Sequence, residues 1–245
     1  DVAHAVATSP EKGGKVRTKI NVSNPRLWSA ETPYLYRLTA HVSPSVRRGN
    51  IATLNITPPA EVLTQRVGFR TVEMRDGQLT VNGKAVLIKG VNRHEIDPDG
   101  GYVMSLDQMI TDIRRMKEFN FNAVRTSHYP TDPRFYDLCD EYGMLIWAEI
   151  PVISRYNKKA QENALNQLEE LIKQNMHHPS IFCWGVQNEI TITKETPELV
   201  EAIRELDDYA RFLDPSRATT QAQFTMCSPT SQLNGITDIL AYNHY

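Results

Sequence analysis

From about Gly77 onward the chain alternates short apolar runs with stretches whose apolar residues recur at helical spacing, and polar side chains follow most of the apolar runs. This alternation constrains the fold more than any other feature, because consecutive parallel strands need a crossover, usually a helix, between them. Ala85–Val91 is a continuous apolar run that predicts a buried parallel strand. Ser105 opens a helix with Gln108 at capping-box spacing, and Leu106, Met109, Ile110, Ile113 and Met116 share one face. Asn122–Thr126 is the next strand. Asp132 and Pro133 then start a helix with inner residues Phe135, Leu138, Cys139 and Tyr142, closed by Gly143. Met144–Ile150 is a strand, and Leu165, Leu168, Leu171, Ile172 and Met176 stripe a third helix that stops at Pro179. Ile181–Val186 is a strand, Thr196 and Pro197 begin a helix with Leu199, Ile203, Leu206, Ala210 and Leu213 inward, and Ala218–Phe224 and Ile239–Tyr242 are the last strand candidates.

Such a pattern builds either an open doubly wound sheet or a closed barrel. No G-x-G-x-x-G or Walker sequence follows the first strand, as an open nucleotide-binding sheet would require. Polar residues instead gather after successive strands: Asn92-Arg93-His94-Glu95, Ser127-His128-Tyr129, Glu149, and Asn188-Glu189. In a barrel those ends converge on one mouth, where active sites sit. A TIM barrel fits better, although six strands fall short of the roughly 250 residues typical of eight βα units. The expectation is a barrel truncated after about six strands, the N-terminal portion of a catalytic domain over 76–245.

Residues 1–75 read as β-structure, with runs at Lys15–Val22, Tyr34–Ser43, Ile51–Ile56 and Glu61–Glu73. Gly13-Gly14, Asn24-Pro25, Gly49-Asn50 and Pro58-Pro59 separate them. So few strands make only part of a sandwich, and the chain is expected to begin inside a domain. Across all 245 residues, 27 Lys+Arg stand against 29 Asp+Glu with no basic block, which gives no support to nucleic-acid or anionic-membrane partners. No apolar run reaches the length of a membrane helix, and no signal peptide opens the chain. Three widely spaced cysteines, Cys139, Cys183 and Cys227, form neither a disulfide framework nor a zinc site, and the compartment stays open.

Glu189 ends an otherwise apolar strand, a partly desolvated place that suits a carboxylic acid to donate a proton near neutrality; the alternative is a helix cap. Asn188 beside it can hydrogen-bond a polyhydroxyl ligand. Glu149 is a second strand-end carboxylate, either one of a catalytic pair or the holder of Arg125. His94 and His128 lack HExxH spacing, so hydrogen bonding to sugar hydroxyls is preferred over a metal site, with satisfied core histidines as the alternative. His177 and His178 suit a helix C-terminus. The segment Asp97-Pro-Asp-Gly-Gly101 fails as a calcium loop, because Gln108 occupies its twelfth position. The N-x-S/T triplets at Asn21 and Asn55 carry little weight.

The runs Leu27-Trp-Ser-Ala-Glu-Thr-Pro-Tyr-Leu-Tyr36, Val67-Gly-Phe-Arg70, Asn82-Gly-Lys84, Gly90-Val-Asn-Arg-His-Glu95, Asn122-Ala-Val-Arg-Thr-Ser-His-Tyr-Pro130 and Trp184-Gly-Val-Gln-Asn-Glu189 occur in this order over nearly the whole chain. In them the chain resembles glycoside hydrolase family 2, the family of bacterial β-galactosidases and β-glucuronidases. The resemblance implies an immunoglobulin-like β-sandwich ahead of a TIM barrel, and retaining hydrolysis of a terminal β-linked sugar. It makes Glu189 the general acid/base and Asn188 its partner toward the sugar 2-hydroxyl. His94 and His128 become sugar contacts, and Arg125 and Glu149 polar residues around the sugar and nucleophile. Tyr245 matches a tyrosine that hydrogen-bonds the nucleophile.

The nucleophile itself, a glutamate at the end of the seventh strand, has no counterpart in the chain. The chain as given therefore reads as an internal piece, non-catalytic by itself. Some relatives bind magnesium through a Glu-x-His after the third strand; here that segment is Ile150-Pro-Val-Ile-Ser-Arg155, so no metal or cofactor is expected. Asn92-Arg-His-Glu95 looks more like the galactosidases, since glucuronidases often carry Lys before that His. A β-galactoside is thus the expected partner, a β-glucuronide or the substrate of another family 2 exo-β-glycosidase the alternative, and a homo-oligomeric parent is left open.

Overall fold

The computed structural model describes residues 2–7, 14–43, 46–48, 51–53, 61–192 and 194–245, with side chains of 46–48 and 51–53 excepted. The expected turns at Gly13, Gly49-Asn50 and Pro58-Pro59, the strand end at Ile56, and Asn55 lie outside these residues. Ahead of the barrel are antiparallel sheets. Strands β1 (Tyr36–Val42) and β4 (Glu61–Val67) pair from Tyr36↔Val67 to Val42↔Glu61, and β2 (Val46–Arg48) pairs with β3 (Ile51–Thr53). A third sheet orders β5 (Val72–Arg75), β6 (Gln78–Val81) and β7 (Lys84–Ala85) side by side. Lys15–Val22 forms no strand: no described strand pairs with it, and Val16 and Ile20 are exposed.

Six parallel strands follow in sequence order, β8 (Gly90–Arg93), β9 (Ala123–Thr126), β10 (Leu145–Glu149), β11 (Ile181–Asn188), β12 (Ala218–Gln223) and β13 (Ile239–Tyr242). Helices α1 (Leu106–Glu118), α2 (Pro133–Tyr142), α3 (Gln161–Asn175) and α4 (Pro197–Leu213) cross between them. This is a TIM barrel of six strands, open between β8 and β13. The capping box at Ser105 and Gln108 forms, Asp132 and Thr196 cap α2 and α4, and Gly143 takes the left-handed conformation that ends α2. Helix α3 ends one residue before Met176, which is exposed instead of inward.

The apolar run Ala85–Val91 is not one strand. Ala85 belongs to the antiparallel hairpin, where Val86 N–H donates to Leu79 O, and Leu87 is 78% exposed. The barrel strand begins only at Gly90, where a Cβ would stand 2.8 Å from Ala123 O, so the close pairing with β9 requires glycine.

Two apolar clusters hold the molecule together. One fills the space between the outer face of the sheet and the helices, around Trp184, Ile146, Leu168, Ile203 and Phe135. The other lies at the bottom of the barrel, where Trp28, Leu79 and Val81 pack against Ala123, Leu145, Phe182 and Cys183. Trp28 Nε1 donates to Asp140 O at 2.8 Å, and Arg70 donates to the carbonyls of Pro179 and Ile181 at 2.9 and 2.8 Å. The segments around Trp28 and Arg70 therefore close the barrel floor and leave the opposite end to the loops. No helix of the described residues is long and apolar enough to cross a membrane.

Candidate active site

The polar groups predicted at the strand ends meet at the C-terminal mouth. Arg125, on β9, is its centre. Nε donates to Glu149 Oε2 at 3.0 Å, Nη2 to Asn188 Oδ1 at 2.8 Å, and Nη1 to Asn243 Oδ1 at 3.1 Å. The guanidinium also lies over the Trp147 ring, 4.3 Å from its centroid. Glu149, 1% exposed, has His128 Nδ1 on its other oxygen at 2.7 Å. Such a buried carboxylate needs both partners, since an unpaired charge there would cost several kcal/mol. Of the two readings of Glu149, the geometry has it holding Arg125.

Strand β11 brings Asn188 and Glu189 to the mouth through irregularity. Its pairing with β12 shifts register between Gly185 and Asn188. An extra residue in a strand re-aims the side chains that follow it. Gly185 faces Glu149, and a Cβ there would lie 2.4 Å from Trp147 Nε1. Gln187, by contrast, is fully buried in an amide cluster with Gln221 and Gln223, and its Oε1 accepts from Ile190 N. Glu189 O accepts from Ile192 N, so Glu189 starts the following turn through its backbone while its side chain bonds elsewhere. Glu189 itself takes a left-handed φ of 54°, uncommon for a non-glycine residue and strained. The residue is 8% exposed, and Oε1 of its carboxylate accepts from Asn243 Nδ2 at 2.8 Å and Tyr245 OH at 2.6 Å.

Asn188 Oδ1 takes two donors, Arg125 and Asn243, which turns its Nδ2 away from both as a free donor among the described residues. Tyr245, expected beside a nucleophile, hydrogen-bonds Glu189, the acceptor within its reach here. That bond, with a smaller contribution from burial, holds its phenol above the ordinary range, so it donates while neutral. His94 and His128 pack edge to face with centroids 5.4 Å apart, and Tyr129 OH reaches His94 Nδ1 at 3.4 Å. Glu95 ties the first two mouth loops together by accepting from Thr131 Oγ1 and Asp132 N, both at 2.9 Å.

The arrangement can orient a proton-bearing carboxyl group and present imidazoles and an amide to a polyhydroxyl ligand. Two of its members went unread in the sequence. Asn243 was visible only as one polar residue in a strand-end run, and Trp147 as an apolar one. His177 and His178 follow α3 as expected, but His178 is buried against Asp140 Oδ2 at 2.6 Å, and burial pushes His177 down. Asp137, Asp140 and His178 bring ligand-type atoms within 4.8 Å of one another. These atoms are already committed: Asp140 also accepts from Ser180 N, and Asp137 faces Arg66 at 3.5 Å. The segment 150–155 offers no carboxylate or imidazole, and its backbone pairs with Asn188 through Asn188 N to Val152 O and Ser154 N to Asn188 O.

The model of the family described as "Glycosyl hydrolases family 2, TIM barrel domain" matches residues 72–233, and that described as "Glycosyl hydrolases family 2" matches 2–70. The chain belongs to this family. The β-galactosidase of Lactococcus lactis subsp. lactis is 36% identical over 223 residues, 85% of this chain and 21% of the relative. Among solved structures, an FMN-binding β-glucuronidase from Facaelibacterium prausnitzii L2-6 superposes with a TM-score of 0.86 at 35% identity, covering 100% of this chain and 36% of the other. A family 2 β-galacturonidase from Eisenbergiella tayi bound to galacturonate gives 0.79 at 29% identity, over 93% and 39% of the two chains. This family 2 chain thus spans about a fifth of the length of its curated relative.

Proposed function

We propose that the full-length protein is a retaining exo-β-glycosidase that removes terminal non-reducing β-D-galactose, with Glu189 as general acid/base. In this reading residues 1–75 are the C-terminal part of an immunoglobulin-like sandwich and 76–245 the first part of the catalytic barrel. The observation that carries it is the position of Glu189: a nearly buried carboxylate on a left-handed turn at a barrel-strand end, with one oxygen held by two donors. In the first step Glu189 protonates the leaving oxygen while a carboxylate outside these residues attacks the anomeric carbon. In the second it takes a proton from water. Asn188 Nδ2, His94 and His128 bind sugar hydroxyls, Arg125 and Glu149 keep the mouth in shape, and no metal takes part. The β-galactosidase relative and the run Asn92-Arg-His-Glu95 favour galactose. A β-glucuronide is the second reading, favoured by the β-glucuronidase among the structural neighbours.

The test is hydrolysis of nitrophenyl β-galactoside, glucuronide, glucoside and mannoside, with and without EDTA, by the chain carried to its natural ends. Turnover of the galactoside alone, unchanged by EDTA, is expected, and Glu189→Gln should lower turnover of lactose by about 10²–10⁴-fold. Preference for the glucuronide would replace the sugar and keep the chemistry. Wild-type lactose turnover in the variant would overturn the role of Glu189.

A further inference from the structure

We propose that Asn243 is a positioning residue for the acid/base, and that it commits Oε2 of Glu189 to carry and deliver the proton; this rests on the reading of Glu189 above. A primary amide has two N–H donors and one acceptor oxygen. At Asn243 all three are engaged within the site. One N–H meets Asn188 Oδ1 at 2.9 Å, the other Glu189 Oε1 at 2.8 Å, and the oxygen accepts from Arg125 Nη1 at 3.1 Å. Arginine can only donate, so it fixes which way the amide points. The backbone leaves little freedom either: Asn243 N donates to Gln223 O at 2.9 Å, and Asn243 O accepts from Thr225 Oγ1.

With Tyr245 OH also on Glu189 Oε1, that oxygen faces two donors and is unsuited to hold a proton of its own. The proton of the neutral acid therefore sits on Oε2. On delivery the Oε2–H bond breaks, an O–H bond forms on the departing sugar oxygen, and the electron pair left on the carboxylate is shared with Oε1, where both hydrogen bonds strengthen. Asn243 acts through Glu189 and Asn188 and need not touch the reacting bond.

The experiment uses the full-length protein and three forms, wild type, Asn243→Ala and the near-isosteric Asn243→Asp. Each is assayed on a galactoside with a poor leaving group, such as lactose, and on dinitrophenyl galactoside, whose leaving group needs no proton. Losing a donor to the carboxylate disfavours its ionised form. The Ala variant should therefore lose about 10²-fold in kcat on lactose, lose much less on the dinitrophenyl substrate, and move the alkaline limb of its pH profile upward. The Asp variant, which sets a second carboxylate against Glu189, should move that limb further in the same direction, and it decides the matter if the Ala variant does not fold. Equal losses on both substrates, or an unmoved alkaline limb in a folded variant, would overturn the proposal. A wild type that hydrolyses no member of the glycoside panel would instead overturn the functional reading on which it rests.

Discussion

Arg125 shows how one side chain organises a site from several strands. Its three nitrogens reach residues on β10, on β11 and beyond the end of β13, so parts far apart in sequence share one donor group. The same economy recurs at the barrel floor around Asp214, which accepts from Trp184 Nε1 at 3.0 Å, from Ser216, and from Arg217. Burial alone would raise the Asp214 carboxyl, but the Arg217 charge and the Ser216, Trp184 and Arg217 hydrogen bonds outweigh it and leave it below its ordinary range. A carboxylate lowered by folding contributes stability in full above its unfolded pKa of about 3.9, and that contribution is lost as pH falls through the folded value. Thermal unfolding followed from neutral pH downward should therefore show a loss of stability below about pH 4. Asp214→Asn should be less stable at neutral pH and show a shallower decline on acidification. Equal acid sensitivity of the two proteins would remove Asp214 from the account.

Among the elements, β11 brings the acid/base candidate to the mouth through an irregularity that its sequence pattern does not show. Ile181–Val186 reads as a plain buried strand leading to Glu189, yet its register is irregular on both sides. Gly185 lies beneath the site because no side chain fits between β11 and the Trp147 and Glu149 side chains. Gly185→Ala should push Trp147 and Glu149 out of place, destabilising the protein by about 1–3 kcal/mol and reducing the activity proposed for the full-length protein well beyond the stability loss. Denaturant unfolding and galactoside turnover on the same variant check this, and a folded, fully active Ala variant would contradict it. The helices, by comparison, were legible to within a few residues. Ser105 with Gln108, Asp132 with Pro133, and Thr196 with Pro197 act through bonds within one turn, and such local chemistry survives whatever packs around it.

At the scale of the molecule, the antiparallel segments and the barrel are joined by buried contacts. Fully buried Trp28 bonds to helix α2, Gly143 packs so close to Ala30 O that a Cβ would stand 2.2 Å from it, and Arg70 reaches carbonyls that flank the start of β11. The six-stranded sheet, however, leaves β8 and β13 each paired on one side only among the described residues. Unpaired edges of a sheet are templates for pairing with another chain. The 245-residue chain by itself should associate or precipitate, and a monodisperse monomer in sedimentation would contradict this.

The sequence by itself determined the order of strands and helices, the helix caps, the choice of a barrel over a nucleotide-binding sheet, and the convergence of Arg125, His128, Glu149, Asn188 and Glu189 on one mouth. These follow from short-range periodicity and from the rule that parallel strands point their ends the same way. It misplaced the first barrel strand and assigned a strand to Lys15–Val22, because an apolar or alternating run does not say which neighbour will accept its hydrogen bonds. Only the tertiary structure decided that the Gln187 side chain accepts from Ile190 N, that Tyr245 binds Glu189, and that Asn243 links Arg125, Asn188 and Glu189. Those outcomes depend on a register shift in β11 and on a contact between residues 54 positions apart, and neither leaves a mark on local spacing.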